Sequence, residues 1–131
     1  MDAIIGTWQL VRTSSKAQDG TELPPPYGGD KAMGRVVLNA DARMMAVLID
    51  GRPELPGGVT REYTSYCGSY TFDGKQLITR VDAASDPARM GTNQVRGVHF
   101  EGDLMVLRPP LKSYNAGAEQ RELHWRKIAD M

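Results

Sequence analysis

The chain has 131 residues, enough for one domain with a real core, and its 16 Lys plus Arg are balanced by 16 Asp plus Glu. A net charge of zero gives no long-range pull toward polyanions, so neither nucleic acid nor a membrane surface is an expected partner. No apolar run has the length of a bilayer span, the opening Met1–Ile5 lacks a basic, apolar leader, and the single cysteine cannot form an internal disulfide, so a bacterial-type cytoplasmic protein is expected.

In chain order, Trp8, Leu10 and Arg12 alternate with Gln9, Val11 and Thr13, the period-two pattern of a half-buried strand. Asp19-Gly20 and Pro24-Pro25-Pro26-Tyr27-Gly28-Gly29 predict a long irregular loop, because proline removes ladder donors and glycine loosens the backbone. Strand character returns over Gly34–Asn39 and again over Met44–Ile49, beyond an Ala40-Asp41 turn. Thr60–Tyr66 reads as a helical turn or two with Thr60 as its cap. Cys67–Phe72 and Gln76–Ala83 flank Asp73-Gly74, the strongest hairpin signal in the chain. Thr92–Phe100, Asp103–Arg108 and Glu119–Lys127 complete eight strands.

No ten-residue helical stretch alternates with these strands, which argues against a parallel sheet with crossover helices. The expected architecture is all-β: an eight-stranded antiparallel up-and-down barrel with at most a short helical turn. A two-sheet sandwich is the alternative. In the barrel, the Trp8 strand pairs with the Trp125 strand.

Gly6-Thr7-Trp8-Gln9-Leu10-Val11 resembles the opening strand of the bacterial lipocalin-like domain family. Gly68-Ser69-Tyr70 before the Asp-Gly turn, Gly91-Thr92-Asn93-Gln94-Val95-Arg96 and the closing Leu123-His124-Trp125-Arg126 match the same pattern in the same order. The resemblance implies a calycin-type lipocalin-like barrel with an internal pocket, and relatives of that kind both bind ligands and act as isomerases or cyclases. It also implies that Trp8 packs at the closed end under a late arginine, Arg126. Family members often carry histidine after the Asp-Gly turn, where this chain has Thr79 and Arg80.

Tyr66, Gly68, Tyr70 and Phe72 share one face of a strand, and Gln94, Arg96, Val98 and Phe100 share one face of another; the apolar members point both faces inward. Arg96 then has two readings. It anchors an acidic group on an apolar ligand, since its planar fork suits an oxyanion, or it pairs structurally with an interior acid such as Asp82 or Glu122. Tyr70 offers a hydrogen bond to a ligand carbonyl, or serves as a core side chain with a fixed partner. The candidate ligand-contacting residues are Arg96, Tyr70, Gln94, Tyr66 and Met44. No catalytic residue is assigned.

His99 and His124 alternate with inward residues and are expected to face solvent; neither has metal-ligand spacing, so no metal and no cofactor is expected. Cys67 falls on the outer face as a small inert residue. Met45, Val47 and Ile49 make the outer face of their strand apolar as well. The Pro24–Tyr27 loop or a second copy of the chain is expected to cover it, the latter giving a homodimer. The functional expectation is a barrel binding a hydrophobic or amphipathic small molecule. The alternative is a cofactor-free isomerase or cyclase acting on a carbonyl compound in the same pocket.

Overall fold

The computed structural model describes residues 2–114 and 117–130. Its strands are β1 (Gly6–Ala17), β2 (Glu22–Leu23), β3 (Met33–Leu38), β4 (Arg43–Ile49), β5 (Tyr63–Phe72), β6 (Gln76–Ala84), β7 (Asn93–Glu101), β8 (Leu104–Arg108), β9 (Lys112–Tyr114) and β10 (Gly117–Ala129). Eight of them run β1-β3-β4-β5-β6-β7-β8-β10 around a closed antiparallel barrel, with β10 returning to pair with β1. Two short strands extend it, β2 on β1 and β9 on β10. Helical structure among the described residues is confined to three short 3-10 segments, Asp2–Ile4, Pro26–Lys31 and Pro87–Arg89.

The hairpin at Asp73-Gly74 shows how local chemistry sets register. Asp73 Oδ1 accepts the N–H groups of Lys75 at 2.8 Å and Gln76 at 2.7 Å, and Gly74 takes φ +97°, a conformation that favours glycine. Closure of the barrel pairs Leu10 with Trp125 and Trp8 with Lys127. Between Leu10 and Arg12 the register slips, and the slip reverses the expected face. Trp8 and Leu10 are buried in the core, but beyond the bulge Thr13 and Ser15 turn inward and Arg12 stands exposed. A second slip, between Cys67 and Gly68, brings β5 so close to β6 that a side chain on Gly68 would collide with the Arg80 carbonyl.

One end of the barrel is sealed. Ile4, Trp8, Leu38 and Met105 are buried there, and the Trp8 indole N–H donates to the Ile4 carbonyl at 2.9 Å. The cation over the Trp8 ring is Lys127, with Nζ 5.2 Å from the centroid, and not Arg126, which is exposed. Pairing Trp8 directly opposite Lys127 in the ladder is what selects that residue.

Other expectations change in place. The Thr60–Tyr66 stretch forms no helical turn: residues 60–62 are irregular and β5 begins at Tyr63, because pairing of Tyr63–Ser69 with β4 outweighs any local helical preference. Phe100 shares the inward face of β7 yet is exposed, since it lies at the end of its strand beyond the packed interior. His124 lies outside the core cluster but is 4% exposed rather than solvated. It shares the outer surface with Arg12, His99, Glu101 and Glu122, whose side chains shield it; burial first, then the Arg12 charge, holds its imidazole below the ordinary value. Cys67 is half-buried, its thiol 3.6 Å from Asp82 Oδ1.

Candidate functional site

The end opposite Trp8 opens into a cavity of about 550 Å³. Its apolar wall is built by inward positions of four strands, among them Val36 on β3, Met44, Ala46 and Leu48 on β4, Leu107 on β8, and Leu123 and Trp125 on β10. Its mouth is polar and takes Thr64 and Tyr66 from β5, Gln94 and Arg96 from β7, Arg121 from β10, and Asp86 and Arg89 from the turn between β6 and β7. Four of the sequence candidates, Arg96, Gln94, Tyr66 and Met44, therefore line the same cavity, Met44 in its apolar wall and the other three at its mouth.

Tyr70 does not join them. It shares the inward face of β5 with Tyr66, but four residues further along it lies toward the sealed end, outside the lining, and its hydroxyl donates to the Asn39 carbonyl at 2.6 Å. Burial raises the phenol above its ordinary value, so it stays a neutral donor fixed on the β3–β4 turn. This is the fixed-partner arrangement.

Arg96 makes no ion pair with any described carboxylate. Both acids that the sequence offers are engaged elsewhere: Asp82 binds Arg43 through 2.6 and 3.1 Å contacts, and Glu122 binds Arg108 at 3.0 Å. Arg96 instead donates to the Val95 carbonyl at 2.9 Å and to Gln94 Oε1 at 3.0 Å.

Two lining residues carried no usable sequence signal. Tyr27 comes from the proline- and glycine-rich loop, which folds over the barrel mouth rather than over the outer face of β4. Its hydroxyl shares a 2.8 Å hydrogen bond with Thr64 Oγ1, and its N–H donates to Glu62 Oε1 at 2.8 Å. Burial pushes its phenol above the usual value, which keeps it protonated. Glu62 also lies 3.8 Å from Arg121, which donates to Glu119 at 2.7 Å, so the loop is tied to β10 through charge. The second is Arg89, on a turn capped by Asp86 Oδ1 accepting the Ala88 N–H at 3.0 Å. Its guanidinium carbon stands 5.7 Å from the Tyr66 ring centroid.

The Tyr27 loop needs its own support because Tyr27, Gly28 and Gly29 all have positive φ. Asp50, 1% exposed, provides it by packing under Gly28, where a Cβ would stand 2.6 Å from Asp50 Oδ1. Arg52 grips that carboxylate through Nε at 3.0 Å and Nη2 at 2.7 Å, and its hydrogen bonds hold Asp50 below the ordinary carboxylate value against the opposing effect of burial.

Among the described residues, no cluster of three or more His, Cys, Asp or Glu side chains could hold a metal ion, and no helix is long and apolar enough to cross a membrane. The profile of the lipocalin-like domain family matches residues 57–128, which carry β5 to β10 and the polar mouth. The chain is also similar to the 4'-hydroxy-3'-methoxypropiophenone carrier protein of Aspergillus oryzae (strain ATCC 42149 / RIB 40), at 32% identity over 89 residues, covering 61% of this chain and 80% of that protein. No solved structure matches the chain. A closed antiparallel barrel, a cavity at one end and a family match over more than half the sequence agree, and this chain belongs to the lipocalin-like domain family.

Proposed function

We propose that this protein is a carrier for a small hydroxylated aryl ketone, the chemical class named for its Aspergillus relative. The observation that carries this reading is the cavity, whose roughly 550 Å³ lies within the span of about 300–1,000 Å³ usual for small-molecule sites. Met44, Ala46, Leu48 and Leu107 offer the wall for ring and alkyl groups, with Tyr66 beside them. Arg96 and Gln94 receive the polar end. An isomerase or cyclase needs a proton acceptor facing the reacting carbon. The one carboxylate among the described lining residues, Asp86, is exposed and already accepts from Ala88; neither histidine lines the cavity. These features favour holding a ligand over converting it.

Titration with 4'-hydroxypropiophenone, followed by quenching of tryptophan emission, tests this, because Trp125 is part of the wall. The expected result is saturable one-to-one binding and recovery of the ketone unchanged. Ala46→Phe fills the cavity, and should weaken binding by about tenfold or more, roughly 1.4 kcal/mol, while the melting temperature stays close to that of the wild type. Undiminished binding by the variant would place the ligand elsewhere, and a converted ketone would favour the enzyme reading.

The proposal extends to assembly. Val37, Met45, Val47, Tyr63, Cys67 and Ala83 line a shallow outer trough across β3 to β6, with Met45 61% and Tyr63 55% exposed. The proline-rich loop is spent on the cavity mouth, and a chain without net charge has no long-range repulsion from its own copies. A second copy is the occupant we propose. Val47→Lys should turn a dimer into a monomer in sedimentation velocity, and a wild type that stays monomeric at high micromolar concentration would refute the pairing.

A further inference from the structure

Arg89 and Arg96 approach the cavity mouth from different elements and converge on one atom, with Arg89 Nη1 3.2 Å and Arg96 Nη2 3.0 Å from Gln94 Oε1. The other side of that amide is fixed too. The Thr92 hydroxyl donates to the Arg89 carbonyl at 2.7 Å, which leaves its oxygen to accept from Gln94 Nε2 at 3.3 Å. Neither guanidinium forms an ion pair with a described carboxylate. Nearby acids are engaged: Asp86 caps its own turn, and Glu62 and Glu119 face Arg121. Two cations therefore share a single neutral acceptor beside the Tyr66 ring. Their mutual repulsion is relieved when an anion enters, and a guanidinium fork suits a planar oxyanion.

We infer that Arg89 and Arg96 form an oxyanion subsite that binds the carried hydroxyaryl ketone as its phenolate. The inference rests on the carrier reading above and adds the charge state of the ligand. On binding, the phenol O–H bond breaks, its electron pair stays on oxygen, and the proton passes to solvent water. A ketone para to the hydroxyl spreads the resulting charge onto the carbonyl oxygen, so this class of phenol ionises readily beside two cations. Gln94 keeps the two guanidiniums apart and aimed at the same point.

The test compares 4'-hydroxypropiophenone with 4'-methoxypropiophenone, which cannot ionise, by absorbance and calorimetry. At a pH about one unit below the free phenol's own midpoint, the bound hydroxy probe should show the long-wavelength phenolate band. The methoxy probe should bind about tenfold or more weakly. Arg89→Met with Arg96→Met should abolish the band and bring the two affinities together. Arg89→Gln alone, altering only the turn residue, should weaken the band with the thermal transition intact. Equal binding of both probes to the wild type, or a phenolate band that survives in the double variant, would overturn the subsite and leave the carrier reading standing. Binding of neither probe would overturn both.

Discussion

Trp8→Ala should destabilise the protein by about 3–5 kcal/mol, the usual cost of emptying a large buried aromatic site. The ring is 3% exposed, and three separate interactions converge on it: core packing, the indole N–H to the Ile4 carbonyl at 2.9 Å, and Lys127 over its face. Removing it detaches the Asp2–Ile4 turn that plugs the sealed end, and Ile4 is fully buried only because that turn is held. Against a typical total stability of about 5–15 kcal/mol, such a loss is large, and the melting temperature should fall by roughly 10 °C or more. Trp8→Phe keeps most of the ring and loses the hydrogen bond, so it should cost markedly less. Lys127→Ala removes only a partly exposed cation and should cost about 1 kcal/mol or less. Chemical denaturation of the three variants checks the order. A Trp8→Ala protein as stable as the wild type would mean that the plug does not depend on the indole.

The second large effect concerns the carboxylate beneath the Tyr27 loop. Arg52→Ala should destabilise the protein at neutral pH, because it leaves the Asp50 carboxylate, which solvent scarcely reaches, without its principal partner. Asp50→Asn, which removes the charge as well, should cost less. The pH dependence follows from the direction of the shift. Arg52 holds Asp50 below its ordinary value in the folded protein, so the stabilisation is fully present above the unfolded value, about 4, and is lost as pH falls through the lower folded value. Asp50→Asn should flatten this part of the acid limb, whereas in Arg52→Ala burial without the guanidinium raises the carboxyl, so that variant's deficit should shrink as pH falls and Asp50 takes up its proton. Other acids with depressed values, such as Asp82 and Asp73, titrate in all three proteins and cancel in the comparison. Because Gly28 packs on Asp50 and Tyr27 lines the cavity, Arg52→Ala should also weaken ligand binding. Identical acid limbs in the wild type and Asp50→Asn would remove Asp50 from this account.

Local patterning along the chain suffices for the barrel and for one face of the candidate site. Strict alternation, the Asp73-Gly74 turn and the two tryptophan strands at the ends define eight antiparallel strands that close on one another, because alternation and turn geometry are local properties. The same alternation put Arg96, Gln94, Tyr66 and Met44 on inward faces. Which end of each inward face is open depends on how the strands assemble in three dimensions. Tyr66 and Tyr70 are equivalent by periodicity, yet they stand about 13 Å apart along β5, one at the cavity and one spent on Asn39 near the sealed end. Bulges likewise escape the pattern, and the slip after Leu10 turned Arg12 outward and Thr13 inward. Tyr27 and Arg89 reach the mouth from irregular segments with no period to read. His124 is buried by long side chains of neighbouring strands, and Arg96 lacks a counter-charge because Asp82 and Glu122 pair across other strands. Those outcomes depend on which strands lie side by side in space, and a linear pattern does not contain that distance.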